Sequence, residues 1–138
     1  MSRPECFVTP GAGEKLQEML HYKQALRIGD RVEISGQGGW DDDLNFPEDL
    51  EEEIVKAFDN VEKTLALAGA TWRDVVHVNS YHLPDAPDTI GAEPTRVMVE
   101  QFRKRMGDRA PIWTQIGVAA LAPKMRVEIR VTAILDED

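Results

Sequence analysis

Two stretches near the C-terminus constrain the fold more than any others: Ala110-Pro-Ile-Trp-Thr-Gln-Ile-Gly-Val118 and Met125-Arg-Val-Glu-Ile-Arg-Val-Thr-Ala-Ile-Leu135. Both alternate along the chain with the two-residue period of a strand whose faces meet different surroundings. In the first, Ile112, Thr114, Ile116 and Val118 share one face, and Trp113, Gln115 and Gly117 the other. In the second, Val127, Ile129, Val131, Ala133 and Leu135 point one way, and Glu128, Arg130 and Thr132 the other. The apolar faces call for a covering layer. The polar faces call for water, a partner or a ligand, and that is where a function is expected.

Elsewhere the period changes. Tyr22–Ile28 and Arg31–Ser35, joined through Gly29-Asp30, read as a hairpin. Ser35-Gly-Gln-Gly-Gly-Trp40 breaks the second strand, and no helix pattern follows directly to make it a phosphate loop. After Pro47, the residues Leu50, Ile54, Phe58, Val61, Leu65 and Ala68 recur at helical spacing, and Gly69 ends the run. The acids Glu48, Asp49, Glu51, Glu52 and Glu53 load its start and read as a solvated face suited to the helix dipole. Asp74–Leu83 reads as a strand with Val76, Val78 and Ser80 on one face and His77, Asn79 and Tyr81 on the other. Met98, Phe102 and Met106 form the core stripe of a second helix from about Pro94 to Met106, and Gly107 stops it. Residues 1–20 give only a possible edge strand at Cys6-Phe-Val8 and a turn at Pro10–Gly13.

The predicted order is β-β-α-β-α-β-β. Two amphipathic helices over one face of one sheet make an α+β two-layer sandwich, a single domain spanning residues 1–138. The other face would then carry His77, Asn79, Tyr81, Trp113, Gln115, Glu128, Arg130 and Thr132. Such a mixture of aromatic, Arg and polar groups suits a subunit interface, and symmetric self-association would cover it. Ligand clefts form where such surfaces meet.

The net charge of −9 opposes nucleic acid as the main partner. Arg103-Lys-Arg105, the densest basic run, closes a helix, where cations favour the dipole. No apolar run nears the ~20 residues of a membrane span. The single cysteine, Cys6, permits no internal disulfide, so a cytoplasmic location is expected. His77 and His82 fall on opposite strand faces, and no His/Cys/Asp cluster has ligand spacing; neither a metal nor another cofactor is expected. Cys6 has no paired histidine to make it a nucleophile.

Several segments, in this order and spacing, resemble the RidA/YjgF/YER057c/UK114 family, often labelled endoribonuclease L-PSP. They are Tyr22-Lys-Gln-Ala25, Ile34-Ser-Gly-Gln37, Asn60-Val61 with Ala68-Gly69, Asp74-Val-Val-His-Val78, Ala110-Pro111 and Val127-Glu-Ile129. The resemblance covers roughly Tyr22 to the C-terminus. It implies a chorismate-mutase-like fold, a homotrimer built around a central barrel, and small-molecule clefts between subunits. It also implies hydrolysis of 2-imino and enamine acids to 2-oxo acids and ammonia. In that scheme Glu128 positions the attacking water, and Tyr22, Ser35 and Gly36 border the substrate.

The chain departs from the family at one telling place. Deaminases of the family carry a carboxylate-binding arginine two residues after the proline, and here that residue is Trp113. A guanidinium gives two parallel N–H bonds to a carboxylate, whereas an indole gives one N–H and an apolar face. Gln115 stands where many members have a small residue or cysteine, and Arg96 where many have asparagine. Arg96 either supplies a substitute charge or is an exposed helix residue. Glu128 is either the general base or part of an ion-pair network with Arg130, and Trp113 either stacks on a planar substrate or packs an interface. Trp40 either folds over the cleft mouth or packs on its own hairpin. The leading expectation is a trimeric hydrolase of a small imine or enamine, selective for something other than simple imino acids. A non-catalytic binding or regulatory trimer is the alternative, and a ribonuclease is the weakest reading.

Overall fold

The computed structural model describes residues 3–136. Its elements in chain order are β1 (Glu5–Phe7), α1 (Ala12–Leu20), β2 (Ala25–Ile28), β3 (Arg31–Ile34), α2 (Leu50–Leu67), a 3-10 turn at Trp72–Asp74, β4 (Val75–His82), α3 (Ala92–Met106), β5 (Ile112–Gly117) and β6 (Val127–Ile134). The strands form one sheet in the order β1-β2-β3-β6-β4-β5. Only β4 and β5 pair in parallel, as the crossover through α3 requires. The expected α+β two-layer sandwich is present, with β1 and α1 added in the segment whose sequence was hardest to read. The strand expected from Tyr22 begins at Ala25.

Helix α2 begins where Asp49 accepts a hydrogen bond from the Glu52 backbone N–H at 3.0 Å. Its stripe of Ile54, Phe58, Val61 and Leu65 is fully buried against the sheet. Helix α3 adds Val97, Met98, Phe102 and Met106. Phe58 stacks on Trp72 with centroids 4.8 Å apart and meets Phe102 edge-on at 5.6 Å, joining both helices and the 3-10 turn in one core. Val127, Ile129, Val131 and Ala133 of β6 lie beneath them with no exposed surface.

Two face assignments differ from the sequence reading. A register shift between Val75 and His77 makes a bulge in β4. Val75 turns into the core while Val76 is 42% exposed, and beyond the bulge Val78, Ser80 and His82 face the helices. Strand β5 then registers Trp113 with Val78 and Gln115 with Ser80. Trp113 and Gln115 therefore lie on the helix-covered face, and Ile112, 68% exposed, lies on the open one with Thr114 and Ile116. Thr132, Arg130 and Glu128 register with His77, Asn79 and Tyr81 on that open face.

Trp40 also differs. It neither closes over a cleft mouth nor packs only on its hairpin, but joins Ala12, Leu16 and Met125 in a second small core under α1. Asn60 of α2 holds this loop by donating to the carbonyls of Gly38 at 2.7 Å and Trp40 at 2.9 Å.

Candidate functional site

The candidate residues fall into two groups on opposite faces of the sheet. The first centres on Glu128, in the middle of the open face opposite Tyr81. The strand β3 ends at Ile34, and the chain continues alongside β6, where Gln37 and Ile129 exchange backbone hydrogen bonds at 2.8 and 2.9 Å in an antiparallel bridge. That bridge brings Gly36 directly against the Glu128 side chain. A Cβ at Gly36 would sit 2.6 Å from the carboxyl carbon, so only glycine leaves Glu128 its present position.

Tyr22 completes this group. Burial pushes its phenol up, and the nearby charge of Glu128 pushes it further. Burial likewise pushes the Glu128 carboxyl above its ordinary value. Among the described residues no hydrogen bond or ion pair engages the Glu128 carboxylate. Arg130, the expected partner, instead bonds Glu33 at 2.8 Å, and Thr132 bonds the same Glu33 oxygen. Ser35 donates to the carbonyl of Gln24 at 3.3 Å, tying the loop to the start of β2. The result is a half-buried carboxylate of raised proton affinity beside a phenol, on an open surface.

The second group lies under α3. The Trp113 indole N–H donates to Ser80 Oγ at 2.9 Å, and Ser80 Oγ lies 2.9 Å from His82 Nε2. Ser80 Oγ accepts from the indole and shares a second hydrogen bond with His82 Nε2, so the three side chains form one hydrogen-bonded chain. Burial depresses the His82 pKa to about 4, consistent with a neutral ring. The indole also packs edge-on against Phe102 at 5.1 Å. The Gln115 amide and the Thr95 hydroxyl bond each other at 3.2–3.3 Å. Arg96, one residue along α3, points elsewhere: it pairs with Glu51 at 3.1 Å and Glu100 at 2.9 Å. Those two carboxylates hold its guanidinium strongly protonated.

Sequence reasoning missed the pair that fixes the first group in place. Glu53, read as part of a solvated acidic face, has no exposed surface. Arg126 donates to it from Nε and from its backbone N–H, both at 2.7 Å, and reaches the carbonyls of Pro47 and Glu48 as well. Arg126 stands two residues before Glu128, so the start of β6 is clamped to the start of α2. The only sequence signal was a helical one: Glu53 adjoins the stripe residue Ile54 and precedes Ala57 by four, inside the apolar arc.

Among the described residues no group of three or more His, Cys, Asp or Glu side chains is placed to hold a metal ion. None of the described helices is long and apolar enough to cross a membrane. Cys6 is exposed on β1.

Comparison with known proteins places this geometry. The family model described as Endoribonuclease L-PSP matches residues 13–135. The chain is 34% identical over 130 residues to the RutC family protein YjgH of Escherichia coli (strain K12), covering 94% of this chain and 95% of that protein. It is 30% identical over 119 residues to a 2-iminobutanoate/2-iminopropanoate deaminase of Dermatophagoides farinae, covering 83% and 86%. A solved structure of protein YJGH superposes with a TM-score of 0.79 at 29% identity, over 99% of this chain and 100% of that one. With a family model covering nearly all of its length, the chain belongs to the endoribonuclease L-PSP family, the YjgF/RidA group.

Proposed function

We propose that the protein hydrolyses a small imine or enamine in a cleft between copies of itself, with Glu128 as general base. The observation carrying this reading is the half-buried Glu128 carboxylate, raised by burial and free of ion-pair partners among the described residues, lying against Gly36 beside Tyr22. Such a group is a better proton acceptor than an exposed carboxylate and can hold a water for attack. In the reaction the water oxygen bonds to the C=N carbon as Glu128 accepts its proton. That proton passes to the nitrogen to give a carbinolamine. The carbinolamine hydroxyl proton then moves through Glu128 to the same nitrogen as the C–N bond breaks, releasing ammonia and leaving a carbonyl. Glu128 and Trp113 face opposite sides of one sheet, so a cleft using both takes Glu128, Tyr22, Ser35 and Gly36 from one copy and Trp113 and Gln115 from the next. The similarity to an iminobutanoate deaminase supports the chemistry. The wide, half-polar open face supports the assembly, which the family resemblance makes a trimer.

The test is imine loss, with an amino-acid oxidase or an amine oxidase generating imines and semicarbazide trapping what remains. The native protein should accelerate loss of at least one imine, and Glu128→Gln should abolish it while the oligomer persists. An active Glu128→Gln oligomer would overturn the assignment. A second reading, a trimer that binds without turnover, is favoured by one observation: Trp113 spends its only N–H donor on Ser80. It would be recognised by binding without turnover of any imine. The net charge of −9 gives no support to the ribonuclease in the family's label.

A further inference from the structure

Trp113 keeps part of its surface in an open groove between the C-terminal half of α3 and the start of β5, with Val99, Phe102, Arg103, Ala110 and Pro111 around it. Its indole is held from behind, by Ser80 on its N–H and by Phe102 on its edge, so the ring is a fixed platform. The charges on the groove wall divide unequally. Asp108 is taken by Arg73 at 2.9 Å. Arg109 donates to the Arg73 carbonyl at 3.2 Å and lies 3.8 Å from Asp136. Arg103 is exposed, and among the described residues its guanidinium has neither an ion-pair nor a hydrogen-bond partner, unlike Arg96 and Arg105 on the same helix. It does not cap the indole either: the cation–π contact among the described residues is Arg105 over Phe58, at 5.7 Å. An apolar platform with one uncompensated cation beside it, on a chain of net charge −9, complements a flat anion.

We propose that this groove binds a small planar molecule bearing a carboxylate, with its plane on Trp113 and its carboxylate on Arg103. Arg103 then supplies the cation that Arg96, committed to Glu51 and Glu100, does not. Ser80 and His82 are positioning residues, since they touch the indole or its anchor and not the ligand. The inference rests on the cleft reading for any reaction of the bound molecule, but not for its binding.

The probes are benzoate and its neutral isostere benzamide, titrated into the uniformly 15N-labelled full chain. The readout is the indole Nε1–H cross-peak of Trp113, identified by its loss in Trp113→Phe. Benzoate should move that peak saturably and bind about fivefold more tightly than benzamide, the upper end for an exposed ion pair. Arg103→Ala should erase the preference, while Lys104→Ala, which removes the same charge from the neighbouring residue off the groove, should keep it. Equal binding of the two probes, no binding of either, or a preference surviving in Arg103→Ala would each overturn the proposal. Imine turnover is measured on the same proteins. Benzoate binding without turnover of any imine would sink the hydrolase and leave this site standing. Turnover without benzoate binding would do the reverse.

Discussion

Glu128 and Trp113 face opposite sides of one sheet, separated by strand β4: Glu128 registers with Tyr81 on the open face, and Trp113 with Val78 beneath α3. A single chain cannot bring both to one substrate. Two inactive variants, Glu128→Gln and Trp113→Ala, should therefore complement each other when unfolded together and reassembled. Random assortment puts an intact Glu128 opposite an intact Trp113 at about one quarter of the interfaces of a closed ring. Recovery of about a quarter of native imine turnover is expected. No recovery from mixed oligomers, verified by native mass, would mean that the two residues do not share a site.

Gly36 sets where the Glu128 carboxylate sits. In Gly36→Ala the new methyl would lie 2.6 Å from the carboxyl carbon, and the flexible glutamate would swing away. Stability should fall by about 1 kcal/mol, because the whole Glu128 side chain from Cγ outward must rotate to relieve the clash. Turnover should fall by about tenfold or more, since a displaced base no longer aligns its water. The checks are the thermal midpoint and kcat/KM on one preparation. A large drop in midpoint with turnover per folded molecule preserved would show that the glycine serves packing alone.

His82 should make the protein acid-sensitive above the range of ordinary carboxylates. Its folded pKa lies near 4, against 6.5 for the free side chain, because burial disfavours the imidazolium. A group depressed on folding stabilises the fold above its unfolded pKa, and that stabilisation is lost as pH falls toward the folded value. Unfolding free energy should thus decline from about pH 6.5 to about pH 4, by at most about 3 kcal/mol from this residue. Urea titrations across that range, compared with His82→Gln, isolate the contribution. Parallel pH profiles for the two proteins would contradict it.

Much of this was legible in the sequence, and the exceptions share a cause. The stripe from Leu50 to Leu65 marked α2, and the alternation of Val127, Ile129 and Val131 marked the core face of β6. Alternation separates two faces but does not say which one is covered when both carry large apolar groups. Ile112 and Trp113 are such a pair. The tie is broken by the bulge at Val76, a pairing fact invisible in one strand's sequence. Helix α1 was missed because its nine residues are short for a periodicity argument and Gly11 and Gly13 sit at its start. Its signal was Glu14 three residues after Gly11, whose carboxylate accepts from the Gly11 backbone N–H at 2.9 Å, one half of a capping box. Tyr22, Ser35, Gly36 and Glu128 were recognisable because a family motif carries each of them. Their separation from Trp113 and Gln115 required the strand register.

Glu53 was hidden by its company, four other acids in six residues. Its burial makes a distinct prediction. Glu53→Gln leaves the Arg126 guanidinium, 37% exposed, with a neutral partner, and the loss of its charged hydrogen bonds should cost about 2 kcal/mol. Arg126→Gln in the same chain should restore part of that loss, giving a positive coupling in a double-mutant cycle. Additive losses by chemical denaturation would show that the two side chains act independently.

The grip of Arg126 on Glu53 and on the carbonyls of Pro47 and Glu48 also bears on how this scaffold can diversify. The chain between Gly117 and Met125 leaves β5 as irregular backbone, yet whatever path it takes, it is caught again two residues before Glu128. Apart from Val118, bonded to the His82 carbonyl, and Leu121, packed on the small core under α1, changes in that stretch should disturb the placement of the carboxylate little. Variation there can remodel the surface around Glu128 while Glu128 itself keeps its register, a division of labour between a fixed hook and a variable tether.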